Sequence, residues 1–191
     1  MNDATVPATT RPAGGVTLLT AALIGAAVSV ALGVYGANHD ATGQSLFTLG
    51  FSGTINMKVW LATIVLVLAC VQVVLALWMY GKLGSTHAPD WVGPWHRIVG
   101  LSAFLLSLPV VYHCLWSLGF ETDASSTRRF FHSLFGCAFY GAFTVKVLAV
   151  RSHRMPGWTL PVVGGLVFTL LVGLWLTSAL WFFNNSGFPS F

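Results

Sequence analysis

Five stretches of this chain are each long and apolar enough to cross a bilayer: Val16–Ala37, Val59–Tyr80, Trp95–Leu118, Phe130–Val150 and Trp158–Phe183. A helix rises about 1.5 Å per residue, so about 20 apolar residues cross the roughly 30 Å of hydrocarbon. The charge content agrees. Only 7% of residues are charged, against about 25% in a soluble domain. Too little charge remains to clothe a water-facing surface. The expected fold is all-α, an integral membrane bundle of five transmembrane helices. Residues 14–191 form one domain, and residues 1–13 form a disordered tail, polar with a single Arg11. No A-x-A-like cleavage site closes the first apolar run, so it is expected to stay as a helix.

Lysine and arginine in the loops set the orientation. Arg11, Lys82, Arg97, Arg151 and Arg154 share one side, and Lys58, Arg128 and Arg129 share the other. The bias places the N-terminus inside and the C-terminus outside. Trp60, Trp95, Trp158 and Trp181 fall near span ends, as an aromatic belt requires. The net charge of +4 therefore reflects topology and gives no ground for nucleic-acid binding. The expected location is the bacterial plasma membrane, in contact with membrane lipid. Cys70, Cys114 and Cys137 all lie in apolar runs without a CxxC pair, which argues against a disulfide framework.

The histidines carry the chemistry. His39 and His87 sit in loops, where a solvated side chain suffices. His113 lies near the end of the third span and His132 near the start of the fourth. Antiparallel spans bring these two to one level near the outer side. His96 and His153 share the opposite side. An imidazole in hydrocarbon is costly without a partner. One imidazole from each of two helices is the arrangement that holds iron in a transmembrane b-type cytochrome. His113 and His132 are accordingly the candidate metal ligands for one haem b. His96 and His153 are candidates for a second haem, although 17 residues separate His96 from His113. Polar contacts between helices are the competing reading of all four.

The neighbours suit a flat ligand. Helical spacing gathers Phe135, Gly136, Phe139, Tyr140 and Phe143 on the His132 face. Gly136 would leave room for a macrocycle edge, though small residues also serve simply to pack membrane helices. Arg128 and Arg129 stand where haem propionates could meet them, or end a solvated loop. Lys146 either snorkels to the inner surface or meets a propionate or quinone oxygen. Two ligands across a haem hold their helices farther apart than direct packing does. The third and fourth spans should therefore lie diagonally.

The stretches HRIVGLSAFLLSLPVVYHCLWSLGF, HSLFGCAFYGAFTVKVLAVRSHRMPGW and LPVVGGLVFTLLVGLWLTSALWFF resemble an actinobacterial integral membrane family, a domain of unknown function. The resemblance runs from about Phe51 to the C-terminus and implies electron transfer beside a Rieske-type iron–sulfur protein. The architecture is also similar to small transmembrane b-type cytochromes of the ascorbate- and ferric-reductase-like group. That likeness implies four histidines on four helices, or two on each of two helices at closer spacing than here.

Three functions follow. The first is a b-type cytochrome-like electron carrier, with haem held by the third and fourth helices. It would exchange electrons with a quinone or quinol, or with an iron–sulfur or cytochrome partner, and would act as a membrane oxidoreductase. The alternative is a non-catalytic assembly or accessory subunit of a respiratory membrane complex. A soft-metal handler using Cys114 and Cys137 is the third. No Walker loop, zinc motif or nucleophile–base pattern supports hydrolysis.

Overall fold

The computed structural model describes residues 14–84, 87–120, 126–152 and 154–190. The N-terminal tail and His153 lie outside the described residues. The long helices are α1 (Gly14–Asn38), α2 (Thr54–Met79), α3 (Val92–Leu118), α4 (Thr127–Arg151) and α5 (Thr159–Ser186). All five are long and apolar enough to cross a membrane. The chain is a multi-pass membrane protein with an all-α fold. The apolar runs coincide with these helices but do not define their ends. The largest overrun is at α2, where the polar turn Thr54–Lys58 is already helical. Apolarity marks the hydrocarbon slab, whereas the helix continues until its backbone is capped. Ser126 caps α4, its hydroxyl accepting from the Arg129 amide.

Successive helices alternate in direction. At one end the chain after α1 joins the end of α3, where the Thr42 amide donates to the Trp116 carbonyl at 3.1 Å. At that same end Asn56 and Trp60 of α2 bond to Ser190 and Pro189 of the C-terminal segment. At the other end Trp78 and Trp91 meet edge to face. Laterally, α2 packs on α3, α4 lies between α1 and α5, and α5 returns to α2. α3 stands off from α4 and meets it through side chains. Phe104 stacks on Phe143 with centroids 4.6 Å apart, and the Tyr140 hydroxyl donates to Ser107 Oγ at 2.9 Å. The expected separation of the third and fourth spans is therefore present.

The tightest contact is between α1 and α4. The Ser29 hydroxyl donates to the Cys137 carbonyl at 3.0 Å. Gly25 and Gly141 face each other with no space for a side chain: a Cβ on Gly141 would meet the Gly25 carbonyl oxygen at 2.5 Å and collide with the Ser29 hydroxyl. Small residues let membrane helices approach until backbones touch, where dispersion and hydrogen bonding hold them.

Two helices widen into π-helical turns, α3 over Cys114–Leu118 and α5 over Leu176–Leu180. Both lie toward the end that carries the C-terminus. Pro109, inside α3, precedes the first of them and cannot donate to the Leu105 carbonyl. Such turns often accompany functional sites, and both border the cavity described below.

Gly141→Ala should lower stability in detergent by about 1–3 kcal/mol, the usual cost of overpacking a filled core. Gly136→Ala should be close to neutral, because its Cβ would meet nothing nearer than Leu174 at 3.9 Å. Thermal unfolding of the two variants beside the parent protein checks this.

Candidate functional site

A cavity of about 600 Å³ lies inside the bundle, between α2, α3, α4 and α5, with Leu32 of α1 at its side. That is the size range of cofactor and small-ligand sites. Its floor is the buried cluster of Val65, Phe139 and Leu171, with Tyr140 and Leu174 packed against it. The floor is also polar-locked: Tyr140 donates to Ser107 Oγ, and Ser107 Oγ donates to the Phe104 carbonyl at 2.7 Å. Along α4 the wall runs from Arg128 to Tyr140. Those twelve residues of rise give about 18 Å.

The opposite end of the cavity is cationic. Lys58, Arg128 and Arg129 line it, with no Asp or Glu among the described lining residues. Arg128 is held in place twice. Its guanidinium donates to the Thr177 carbonyl at 2.6 Å and lies 4.0 Å from the Trp181 ring centroid. A stacked, bonded guanidinium is already oriented for an anionic group.

His132 sits one turn deeper on α4. Its Nδ1 lies 3.0 Å from Thr177 Oγ1. The Thr177 hydroxyl donates its one proton back to the Gly173 carbonyl at 2.7 Å, with the Leu174 carbonyl at 3.1 Å. With its proton on those carbonyls the hydroxyl accepts from the imidazole, which corresponds to the Nδ1–H tautomer of His132 with a lone pair on Nε2. A protein that presents an imidazole to a metal or a proton prepares it this way. Thr177 thus holds two cavity side chains at once, one through its carbonyl and one through its hydroxyl. Cys114 enters from α3 and lines the same cavity as Lys58 and His132. Gly136 lies one turn below His132 on the same wall.

His113 is elsewhere. Its Nδ1 donates to the Pro109 carbonyl at 2.9 Å. The ring is wholly buried beneath the α1–α2 connection, with Phe47 edge-on at 4.7 Å. Its Nε2 has no hydrogen-bond partner. The expected pairing of His113 with His132 across one site is not formed, for a helical reason. The cavity face of α3 reads Ser107, Val111, Cys114 and Leu118. One residue is about 100° of rotation, so Cys114 takes the inward place and His113 turns away.

The other expected residues divide between the two ends. Gly136 and Arg129 line the cavity. His96 and Lys146 lie together toward the far end of α3 and α4. The His96 carbonyl accepts from the Gln72 side chain there, and its Nδ1 is buried without a partner. No group of three or more His, Cys, Asp or Glu that could hold a metal occurs among the described residues. Two cavity residues, Lys58 and Thr177, were not singled out from the sequence, and Cys114 was not read as part of a haem site. Lys58 read as a loop charge, Cys114 as a small hydrophobe or soft-metal candidate, and Thr177 as part of an apolar run. The available signal for Thr177 was its polar pair with Ser178 near the end of the last span.

Thr177→Val should leave His132 without its acceptor, with 15N spectra of labelled histidine showing a mixture of tautomers. Thr177→Ser should keep the single Nδ1–H form.

The chain matches the model of a family of unknown function, DUF6529, over residues 18–190, and belongs to that family. No curated protein and no solved structure matches it.

Proposed function

For this member of the family, we propose a transmembrane electron carrier of the b-type cytochrome kind, with haem b in the intrabundle cavity and His132 as an axial ligand. The observation that carries the reading is the His132 imidazole, which lines the cavity and is oriented by the contact of its Nδ1 with Thr177. The residues around it fit a porphyrin. The α4 wall is about 18 Å long, long enough to accommodate a macrocycle. Gly136 removes side-chain bulk where the ring edge would lie, and Phe139, Tyr140 and Trp175 are among the aromatic groups of the wall. Lys58, Arg128 and Arg129 line the cavity and would pair with carboxylates of a bound haem.

Haem b would supply reversible one-electron chemistry at iron. The chain does the rest. His132 gives a lone pair at fixed orientation. The cations at the polar end favour the carboxylates, and the sealed floor of Val65, Phe139 and Leu171 excludes water. A site at one end of the bundle favours exchange with a quinol or quinone in the bilayer, or with an iron–sulfur or cytochrome partner at that surface. One haem is proposed, in the His132 cavity.

The test is a dithionite-reduced minus oxidised absorption spectrum of the full chain, purified in detergent after expression with ample haem. The expected result is a b-type α band that His132→Ala abolishes. Gly136→Leu, which puts a side chain into the cavity, should cut haem content several-fold while the protein stays folded. A protein without any haem band would overturn the reading and favour a non-catalytic subunit of a membrane complex.

A further inference from the structure

We infer that the second axial ligand, opposite His132, is the thiolate of Cys114 and not the imidazole of His113; this rests on the haem reading above.

The first ground is the geometry of α3. Its inward residues follow the spacing Ser107, Val111, Cys114 and Leu118, and each lines the cavity. His113 is a residue off that face and contributes nothing to the wall. To reach the cavity it would have to leave the Pro109 carbonyl, slide from beneath Phe47 and rotate the end of α3 by about 100°. Cys114 needs none of this. It already lines the same cavity as His132, from a different helix.

The second ground is the spacing of the helices. α3 rests on α2 while α4 rests on α1 and α5. At the cavity level, Cys114 and His132 line the same space from these two helices. The two helices meet lower down, where Tyr140 bonds to Ser107. A porphyrin ring needs helices held apart around two converging donors, and this pair supplies the donors at the place where the separation exists.

The third ground is charge. A thiolate ligand is an anion in hydrocarbon and needs a cation near it. Lys58, from α2, lines the same cavity as Cys114. The His113 ring, by contrast, meets only Phe47, Tyr112 and the Pro109 carbonyl in its described contacts. The polar end therefore offers one cation beside the thiolate and two more, Arg128 and Arg129, toward the carboxylates. A thiolate pushes electron density onto iron. The carrier would then sit at a lower potential than a bis-imidazole cytochrome and would respond to thiol-modifying reagents.

The test uses the full chain, with haem content read by the pyridine haemochrome method and ligation by electron paramagnetic resonance of the ferric form. The expected wild-type signal is the narrow g-value spread of a low-spin thiolate–imidazole haem. Cys114→Ser should lose that signal while retaining at least half of the haem, and His113→Ala should keep it. Cys114→Ala and His113→Phe serve in place of any variant that does not elute as a single folded species. A bis-imidazole signal in the wild type, or a signal lost with His113 and kept without Cys114, overturns this inference and leaves the haem reading standing. A wild-type protein with no haem overturns both.

Discussion

In hydrocarbon every polar group must find its partner inside the protein, and the organisation of this bundle follows from that one constraint. Hydroxyls along the spans return their protons to the preceding turn of their own helix, as Thr20, Thr144 and Thr169 do. Those that do more than this mark the working parts. Ser29 ties α1 to α4, Ser107 receives Tyr140 at the cavity floor, and Thr177 holds both Arg128 and His132. Because a hydroxyl has a single proton, the back-bond of Thr177 to Gly173 competes with donation to His132 and favours the Nδ1–H tautomer. A helix-internal hydrogen bond thereby sets the chemistry available at the cavity.

The same constraint makes the exceptions informative. Among the described residues the buried atoms without a partner include Nε2 of His113, Nε2 of His39 and Nδ1 of His96. His39 is stacked on Tyr35 and Trp116, so its ring is placed by aromatic contact. His113 is placed by its Nδ1 bond and by Phe47. Neither faces a cavity wall. His132 differs in that its second nitrogen faces space bounded by cations and aromatic rings. A haem reading therefore attaches to His132 more naturally than to His113, although the sequence placed the two alike, near the ends of adjoining spans.

Helix separation is the second organising feature. The glycine contact of α1 with α4 draws those helices to backbone distance, whereas α3 is carried on α2 and kept away from α4 by Phe104, Phe143 and Tyr140. The space above that aromatic layer becomes the cavity. The two π-helical turns widen α3 and α5 beside it, and in α5 that turn supplies the Thr177 carbonyl to Arg128. The bundle closes where aromatic side chains fill the interval and opens where Gly136 and Cys114 leave it.

Hydrophobic run length is a one-dimensional property, and so the sequence by itself determined the number of long apolar helices, their approximate bounds and the all-α class. It also placed His113 and His132 near one end, because antiparallel connection follows from short loops. It did not determine which side chains look inward. The hydrophobic patterns of helices bathed in lipid on one side and protein on the other are nearly uniform around the axis, so Cys114 and His113 could not be told apart. Lys58 was hidden for a related reason, since a charge at a span end reads as a loop residue until the helix is seen to include it. Only the tertiary structure decided that Thr177, Arg128, Lys58 and Cys114 converge on His132, because that convergence depends on the rotation of four separate helices about their own axes.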